Sequence, residues 1–582
     1  MLQLLFHTII VSSICIIWGI PVFLVIQNST LEELKKYWIR GKTGLFCFLF
    51  FAGIISLSFT TSIACLLLPL RFEYLIFTTI AILLFLVYKR KNKSKTFYLF
   101  SVPYKRNIIE NLFISICLFL FLLLGSLKTV NADTNIYHIQ IIKWFHEYGA
   151  VPGIANLFPR YGLGSNWFNL ISIFKMPIFN SQNYTWLNTT TVFWFFLWLM
   201  NNWKFHHQKA SHTIIHKIFS HLYICIILFC LFEWELFRDA ANSTNYDFIV
   251  TAFTVILILY LLEMTTRPEK NKSFSFIFIV ATISLIPFKL SGGFALLLVL
   301  FYLLQFKKIK YWLFTVSIFM LIMLPLLIKN YIITGYPIFP LPFSFSSPDW
   351  QVPQLMTDYL RHYITVTNRF YNHQIDFSQI PELIHKKWTS LWFSGILIQQ
   401  KAILLGAFSS LFIFFFKPPI SVQLKKLRWL FFAMIFMAGC WFYFAPSPRF
   451  GYGVLLILAF FPACLYFGKY VPAKIHSLII VIAIAATGIY LFQKSKPIQQ
   501  HPEHLLYPFK ADSPPVKNIY INGIEIHLPS IINGGWMREP YDAALPCILQ
   551  ENPYLKARGK RLQDGFKMEP KPDSVFVRQY IY

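Results

Sequence analysis

Apolar stretches near the length of a bilayer crossing recur about fourteen times along this 582-residue chain, and no other feature limits its possible folds so strongly. An α-helix needs ~20 consecutive apolar residues to cross a hydrocarbon core ~30 Å thick. The runs lie near 7–27, 45–69, 73–88, 110–128, 185–200, 218–234, 247–263, 273–288, 290–306, 311–328, 398–416, 429–445, 451–468 and 475–492. Composition removes the competing fold classes. Only 13% of positions are charged and 56% are hydrophobic, against roughly 25% charged in a typical soluble domain. A soluble enzyme, a disordered chain and a disulfide-stapled module are all excluded. Eight of the nine Cys sit inside apolar runs, and Cys547 has no partner nearby in sequence. The first run lacks a basic leader and a small-residue cleavage site, so it reads as a retained span.

The basic residues orient these helices. The net charge of +27 would point to nucleic acid in a soluble protein, but here position decides its meaning. Alternate loops 28–44, 89–109, 201–217, 264–272, 307–310, 417–428 and 469–474 hold 26 of the 52 Lys and Arg. The short loops between them, near Arg71, Arg238, Lys289 and Arg449, hold about one each. The positive-inside rule places the basic loops in the cytoplasm, with both termini and the long loops 129–184 and 329–397 outside. The expected architecture is an all-α polytopic membrane protein of about fourteen transmembrane helices, over residues 1–492, in a bacterial inner membrane. Residues 493–582 read as a small α/β external (periplasmic) domain, with a hairpin turning at Asn522-Gly523.

Ionisable groups gather at the outer ends of the spans, where lipid does not meet them. After the fourth run come Asp133, Thr134, Tyr137, His138 and Trp144, and the spacing Asp133, Tyr137, Ile141, Trp144, Tyr148 predicts a surface helix beginning at Asp133. A carboxylate there has two readings: a helix cap beneath an aromatic belt, or a base that takes a proton from a hydroxyl. Lys289, Lys329 and Arg449 lie at the outer boundary beside Pro/Gly turns, with Arg160 as a fourth cation. They either snorkel to headgroups or hold a phosphate, for which the planar Arg fork is suited. Asp239 and Asp247 share another outer loop, either contacting acceptor hydroxyls or a cation, or capping the next helix and solvating the loop. Two motifs lead nowhere. Gly41-Lys42-Thr43 lacks the Gly a phosphate loop needs at position 36, and His206, His207, His212 and His216 sit in a basic cytoplasmic loop without Cys or carboxylate support.

Taken in order, these segments resemble the C-superfamily of integral membrane glycosyltransferases, which includes protein mannosyltransferases and enzymes that add aminoarabinose or galacturonate to lipid A. Many bacterial members carry an external Asp-Glu-x-x-Tyr segment followed by Gly and Pro. Asp133-Thr134-Asn135-Ile136-Tyr137, Gly149, Pro152 and Trp167-Phe168 are similar, with Thr134 in place of the second acid. Pro287-Phe288-Lys289-Leu290-Ser291-Gly292 resembles a Lys-Tyr-Ser/Thr-Gly segment. Lys329-Asn330 with Thr334-Gly335-Tyr336-Pro337-Ile338-Phe339-Pro340 resembles Arg-Asn…Thr-Gly-Asn-Pro-x-Tyr-Pro, with Lys for Arg. Pro446-Ser447-Pro448-Arg449-Phe450 resembles the Arg-Tyr that opens a late helix. The similarity spans roughly residues 110–465 and lies nearest an uncharacterised bacterial branch.

The resemblance implies an inverting sugar transfer from a polyprenyl-phosphate donor to a glycan, lipid or protein acceptor in the cell envelope. Asp133 would be the base, and Lys289, Lys329 and Arg449 would hold the departing phosphate. Tyr137, His138, Trp144, Arg160, Asp239 and Asp247 would contact substrate, with loop 329–397 and the tail covering the cleft. The resemblance fixes no cofactor, and a divalent cation is compatible with the set. Membrane lipids are partners; nucleic acid is not. The competing expectations are a polysaccharide polymerase or ligase, which would need two long basic outer loops, and a flippase or transporter, which would need charge at mid-span and an internal repeat.

Overall fold

A computed structural model describes residues 1–33, 38–91, 108–179, 183–211, 213–266, 275–306, 308–418, 424–472, 475–506, 509, 514–530 and 538–580. The chain is mostly helical. The principal helices are α1 (Leu2–Glu33), α2 (Gly41–Leu67), α3 (Phe72–Lys91), α4 (Ile108–Gly125), α5 (Ile139–Glu147), α6 (Asn166–Ile173), α7 (Trp186–Gln208) and α8 (Ile214–Phe232). They continue with α9 (Asp247–Thr266), α10 (Phe276–Ile283), α11 (Leu296–Leu303), α12 (Ile309–Thr334), α13 (Gln354–Arg369), α14 (Ile398–Phe408), α15 (Leu424–Phe444), α16 (Pro448–Phe467) and α17 (Ile475–Lys494).

Among the described residues, ten helices are long and apolar enough to cross a membrane, and Phe72–Tyr88, Phe276–Phe288 and Leu290–Leu303 are shorter apolar segments. The expected run at 185–200 is also helical, within α7, but it does not meet that standard of length and apolarity. Thr and Asn interrupt its outer half: Asn188 donates to the carbonyls of Ala240 and Asn245, and Thr189 donates to that of Ala241.

Close backbone approach sets the packing of α1 on α2. A Cβ on Gly19 would lie 2.0 Å from the Leu49 carbonyl oxygen, and one on Gly53 would lie 1.8 Å from that of Cys15. Only glycine fits at these crossings, the arrangement by which small residues bring helices together where lipid is as apolar as leucine. Gly53→Ala is therefore expected to destabilise the protein by about 1–3 kcal/mol through overpacking. Thermal denaturation in detergent checks this, and an unchanged midpoint would refute the close crossing.

At one end of the bundle a buried polar knot ties α2, α7 and α9 together. Arg40 pairs with Glu263, and it contacts Asn202 Oδ1 and His206 Nε2 at 2.8 Å each. His206 also meets His216 at 2.9 Å through their Nδ1 atoms, while His212 lies outside the described residues. Each buried charge here has a partner, as low-dielectric surroundings demand.

The tail is small and mixed. Strand β1 (Val516–Ile521) pairs antiparallel with β2 (Ile524–Pro529), and the turn between them holds Asn522 and Gly523 at φ +50° and +82°. This is the hairpin expected from Asn-Gly, with positive φ at both central residues. A second pair, β3 (Leu555–Ala557) and β4 (Phe566–Met568), precedes a helix at Ser574–Tyr580. The segment around residues 541–566 grips the α5 region. Lys143 Nζ donates to the Ala543 carbonyl at 2.7 Å and pairs with Asp542 at 3.1 Å. Tyr541 N donates to the Asn135 carbonyl, Tyr161 OH to that of Cys547, and Phe566 N to that of Pro152.

Candidate functional site

The loops at the outer-predicted helix ends enclose a cavity of about 610 Å³. Its charged floor is a row of alternating signs. Asp133 Oδ2 lies 3.4 Å from Arg449 Nη2, Arg449 Nε lies 3.2 Å from Asp247 Oδ2, and Asp247 Oδ1 lies 2.5 Å from Lys289 Nζ. Four separate elements supply these groups, so residues 316 positions apart in sequence meet in one place.

Local structure explains each placement. Asp133 precedes a π-turn, Thr134–His138, that leads into α5. Asp247 opens α9, where a carboxylate is favoured by the positive end of the helix; the Asn245 side chain accepts from its backbone N–H at 2.8 Å. Lys289 sits at the break between Leu285–Phe288 and Leu290–Ala295. Arg449 occupies the first turn of α16, just after Ser447-Pro448. A cation there opposes the helix field, and the two carboxylates offset that cost.

The electrostatics follow from burial and pairing. Burial alone would raise the Asp133 carboxyl, but Arg449, with Arg160 nearby, holds it below the ordinary carboxylate range. Burial brings the Lys289 ammonium down to about 8 despite Asp247. Asp239 is raised, chiefly by burial, and Tyr137 is raised by burial and by Asp133.

His138 is fixed by a chain of hydrogen bonds. Asn131 Nδ2 donates to Asp239 at 3.1 Å, so Asn131 Oδ1 accepts from Thr134 Oγ1 at 3.0 Å. With the Thr134 hydrogen on Asn131, the Thr244 hydroxyl, 3.0 Å away, is the donor to Thr134. Thr244 then accepts from His138 Nδ1 at 2.8 Å, which leaves Nε2 as an acceptor. Burial lowers this imidazole to about 4, so it is neutral at ordinary pH.

The cavity lining includes Asp133, Tyr137, His138, Arg160, Asp247, Lys289 and Arg449 from the expected set. It excludes three others. Lys329 is fully buried on the far side of α12, where Asn166 Oδ1 accepts its proton at 2.8 Å over the Phe145 ring. Its neighbour Asn330 takes the lining position. Trp144 packs on Tyr148 and Phe566, toward the tail. Asp239 stands behind the wall, as the anchor of the His138 chain. Among the described residues, the tail also contributes no lining residue; Tyr363, Thr367, Asn368 and Tyr371, from the expected covering loop, form that wall instead. Tyr246 and the α13 face went unsingled in the sequence, although the polar residues of α13 recur at helical spacing.

The Thr334-Gly335-Tyr336-Pro337 segment proves to be a helix stop. Gly335 adopts φ +81°, Thr334 Oγ1 accepts from Tyr336 N at 3.0 Å, and Asn330 donates to the Pro337 carbonyl at 3.1 Å. This folds Phe339 and Pro340 into the cavity wall. Among the described residues, no three His, Cys, Asp or Glu gather as a metal site.

Fold and site together define a helical protein with, among the described residues, ten helices long and apolar enough to cross a membrane, and a buried ionic row under a polar cavity. The chain belongs to the DUF8201 family, a domain of unknown function whose family model matches residues 1–456 and so takes in every charged residue of that row. No curated protein and no solved structure matches the chain.

Proposed function

We propose that this protein is an inverting membrane glycosyltransferase that moves a sugar from a polyprenyl-phosphate donor to a cell-envelope acceptor. The observation that carries the reading is the convergence of Asp133, Arg449 and Lys289 on one cavity, since these are the residues whose motifs resemble the C-superfamily. In the proposed step the acceptor oxygen attacks the anomeric carbon as the bond to the phosphate oxygen breaks. The hydroxyl proton passes to Asp133, and the electron pair leaves with the phosphate. Lys289 and Arg449 offset the charge that grows on the leaving oxygen. Tyr137 and His138 shape the sugar pocket, with the neutral Nε2 of His138 accepting from a sugar hydroxyl.

The same reading places the protein in a bacterial inner membrane with about fourteen spans, counting α7 and the three shorter apolar segments. Both termini and the cavity then face outside, opposite the basic loops. Glycan and lipid profiling of a deletion strain tests the function. An envelope glycan should lose one sugar and regain it with the wild-type gene, and an unaltered profile would sink the assignment.

The titration of Lys289 gives a pH prediction. Its ammonium faces Asp247, Arg449, Asp133 and His138, and it loses its proton near 8. Affinity for a polyprenyl phosphate should therefore be full below that value and fall, at most ~10-fold per unit, as pH rises through it. Titration calorimetry between pH 6.5 and 9.5 reads this, and a flat profile would remove Lys289 from the phosphate site.

A further inference from the structure

The cavity holds a cation that its ionic row does not use. Arg160 is only 5% exposed, yet it lines the cavity against Tyr363 of the α13 wall. Its guanidinium lies 4.5 Å from the Tyr363 ring centroid and 5.7 Å from that of Phe158. Nε and Nη2 have no hydrogen-bond partner, and among the described residues no carboxylate lies within ion-pairing distance of it. The lining holds two acids, Asp133 and Asp247, and both face Arg449, with Lys289 on the second. The α13 wall adds no acid to the lining: Asp358 pairs with Arg361 at 3.0 Å and does not line the cavity. A buried guanidinium without a counter-ion is costly to keep. The Tyr363 side chain also hydrogen-bonds this guanidinium, and the buried edge left unpaired, Nε and Nη2, has the geometry for bidentate contact with a carboxylate or phosphate.

We propose that Arg160 is an anion subsite for the second substrate, so that the acceptor carries an acidic group, carboxylate or phosphate, beside its reacting hydroxyl. This rests on the transferase reading for the word acceptor, while the anion subsite itself does not depend on it. The Lys289–Arg449 pair would take the phosphate of the donor and Arg160 the acid of the acceptor, with Asp133 between the two poles. Asp133 already feels the charge of Arg449 and of Arg160.

The full-length protein in phosphatidylcholine nanodiscs provides the test, with saturating decaprenyl phosphate on the donor pole. Saturation-transfer NMR then compares methyl glucuronide and glucose 6-phosphate with methyl glucoside. The wild type should bind one or both acids at least ~10-fold more tightly than the neutral sugar. Arg160→Gln should erase that preference, Arg160→Lys should keep part of it, and Lys289→Gln should leave it intact. Equal binding of all three sugars by the wild type overturns the proposal, whatever the variants do. Equal weakening of decaprenyl phosphate by Arg160→Gln and Lys289→Gln also overturns it, because Arg160 would then serve the leaving group. If decaprenyl phosphate fails to bind while the acid preference persists, the transferase reading falls and the anion subsite stands.

Discussion

Asp133→Asn is expected to fail to restore the missing sugar in a deletion strain, at the same protein abundance as wild type. General-base catalysis contributes about 10²–10⁴ in rate, enough to empty the product band in a profile. Asn keeps the shape and a hydrogen-bonding oxygen but cannot take a proton, so binding should survive. Folding should survive as well. The Asp133 side chain is one-third exposed, and Arg449 keeps Asp247 as its partner when Asp133 is neutralised. Restoration of the sugar to wild-type levels by Asp133→Asn would end its assignment as the base.

Removing Arg449 should do comparable damage by a different route. Arg449→Met strips the cation from Asp133 and Asp247 together and removes a donor to the departing phosphate, worth roughly 10²–10³ in rate. It should also move the acid limb of the pH profile. In the wild type the depressed carboxyl of Asp133 stays ionised until pH falls below the ordinary carboxylate range. Without Arg449 the burial effect is less opposed, the carboxyl rises, and activity is lost at a higher pH as acid is added. Arg449→Lys keeps the charge without the fork, so it should hold the acid limb in place while transfer remains impaired. Identical acid limbs in wild type and Arg449→Met would show that Asp133 does not depend on this partner. Quantitative transfer assays across pH 4–8, with the sugar and acceptor identified from the deletion profile, decide the matter.

How much of this was legible in the sequence depends on the kind of information required. Ten apolar helices were, because hydrophobic length is local and backbone groups in lipid admit few solutions. The Asn-Gly turn predicted its hairpin. Azimuth was not legible. Successive residues on a helix point about 100° apart, so Lys329 and Asn330 could not both face the cavity, and depth alone favoured the charged one. Trp144 went astray for a related reason. The stripe from Asp133 to Tyr148 assumes a uniform α-helix, whereas Thr134–His138 forms a π-turn. A π-turn carries an extra residue, so the phase shifts and Tyr137 and His138 face the cavity while Trp144 turns toward the tail. The clamp between Lys143 and residues 542–543 joins positions about 400 apart, and nothing in either segment announces the other.

The alternating row of Asp133, Arg449, Asp247 and Lys289 has a consequence for how the cavity chooses its guests. Each cation already has an internal counter-ion, so the row presents little net field to passing anions. A phosphate gains entry there by exchange: it must take the place of a carboxylate that is already well bound. Small inorganic anions, which bring no apolar contact to offset that exchange, are poor competitors. Discrimination at the row then rests on what is attached to the phosphate rather than on its charge.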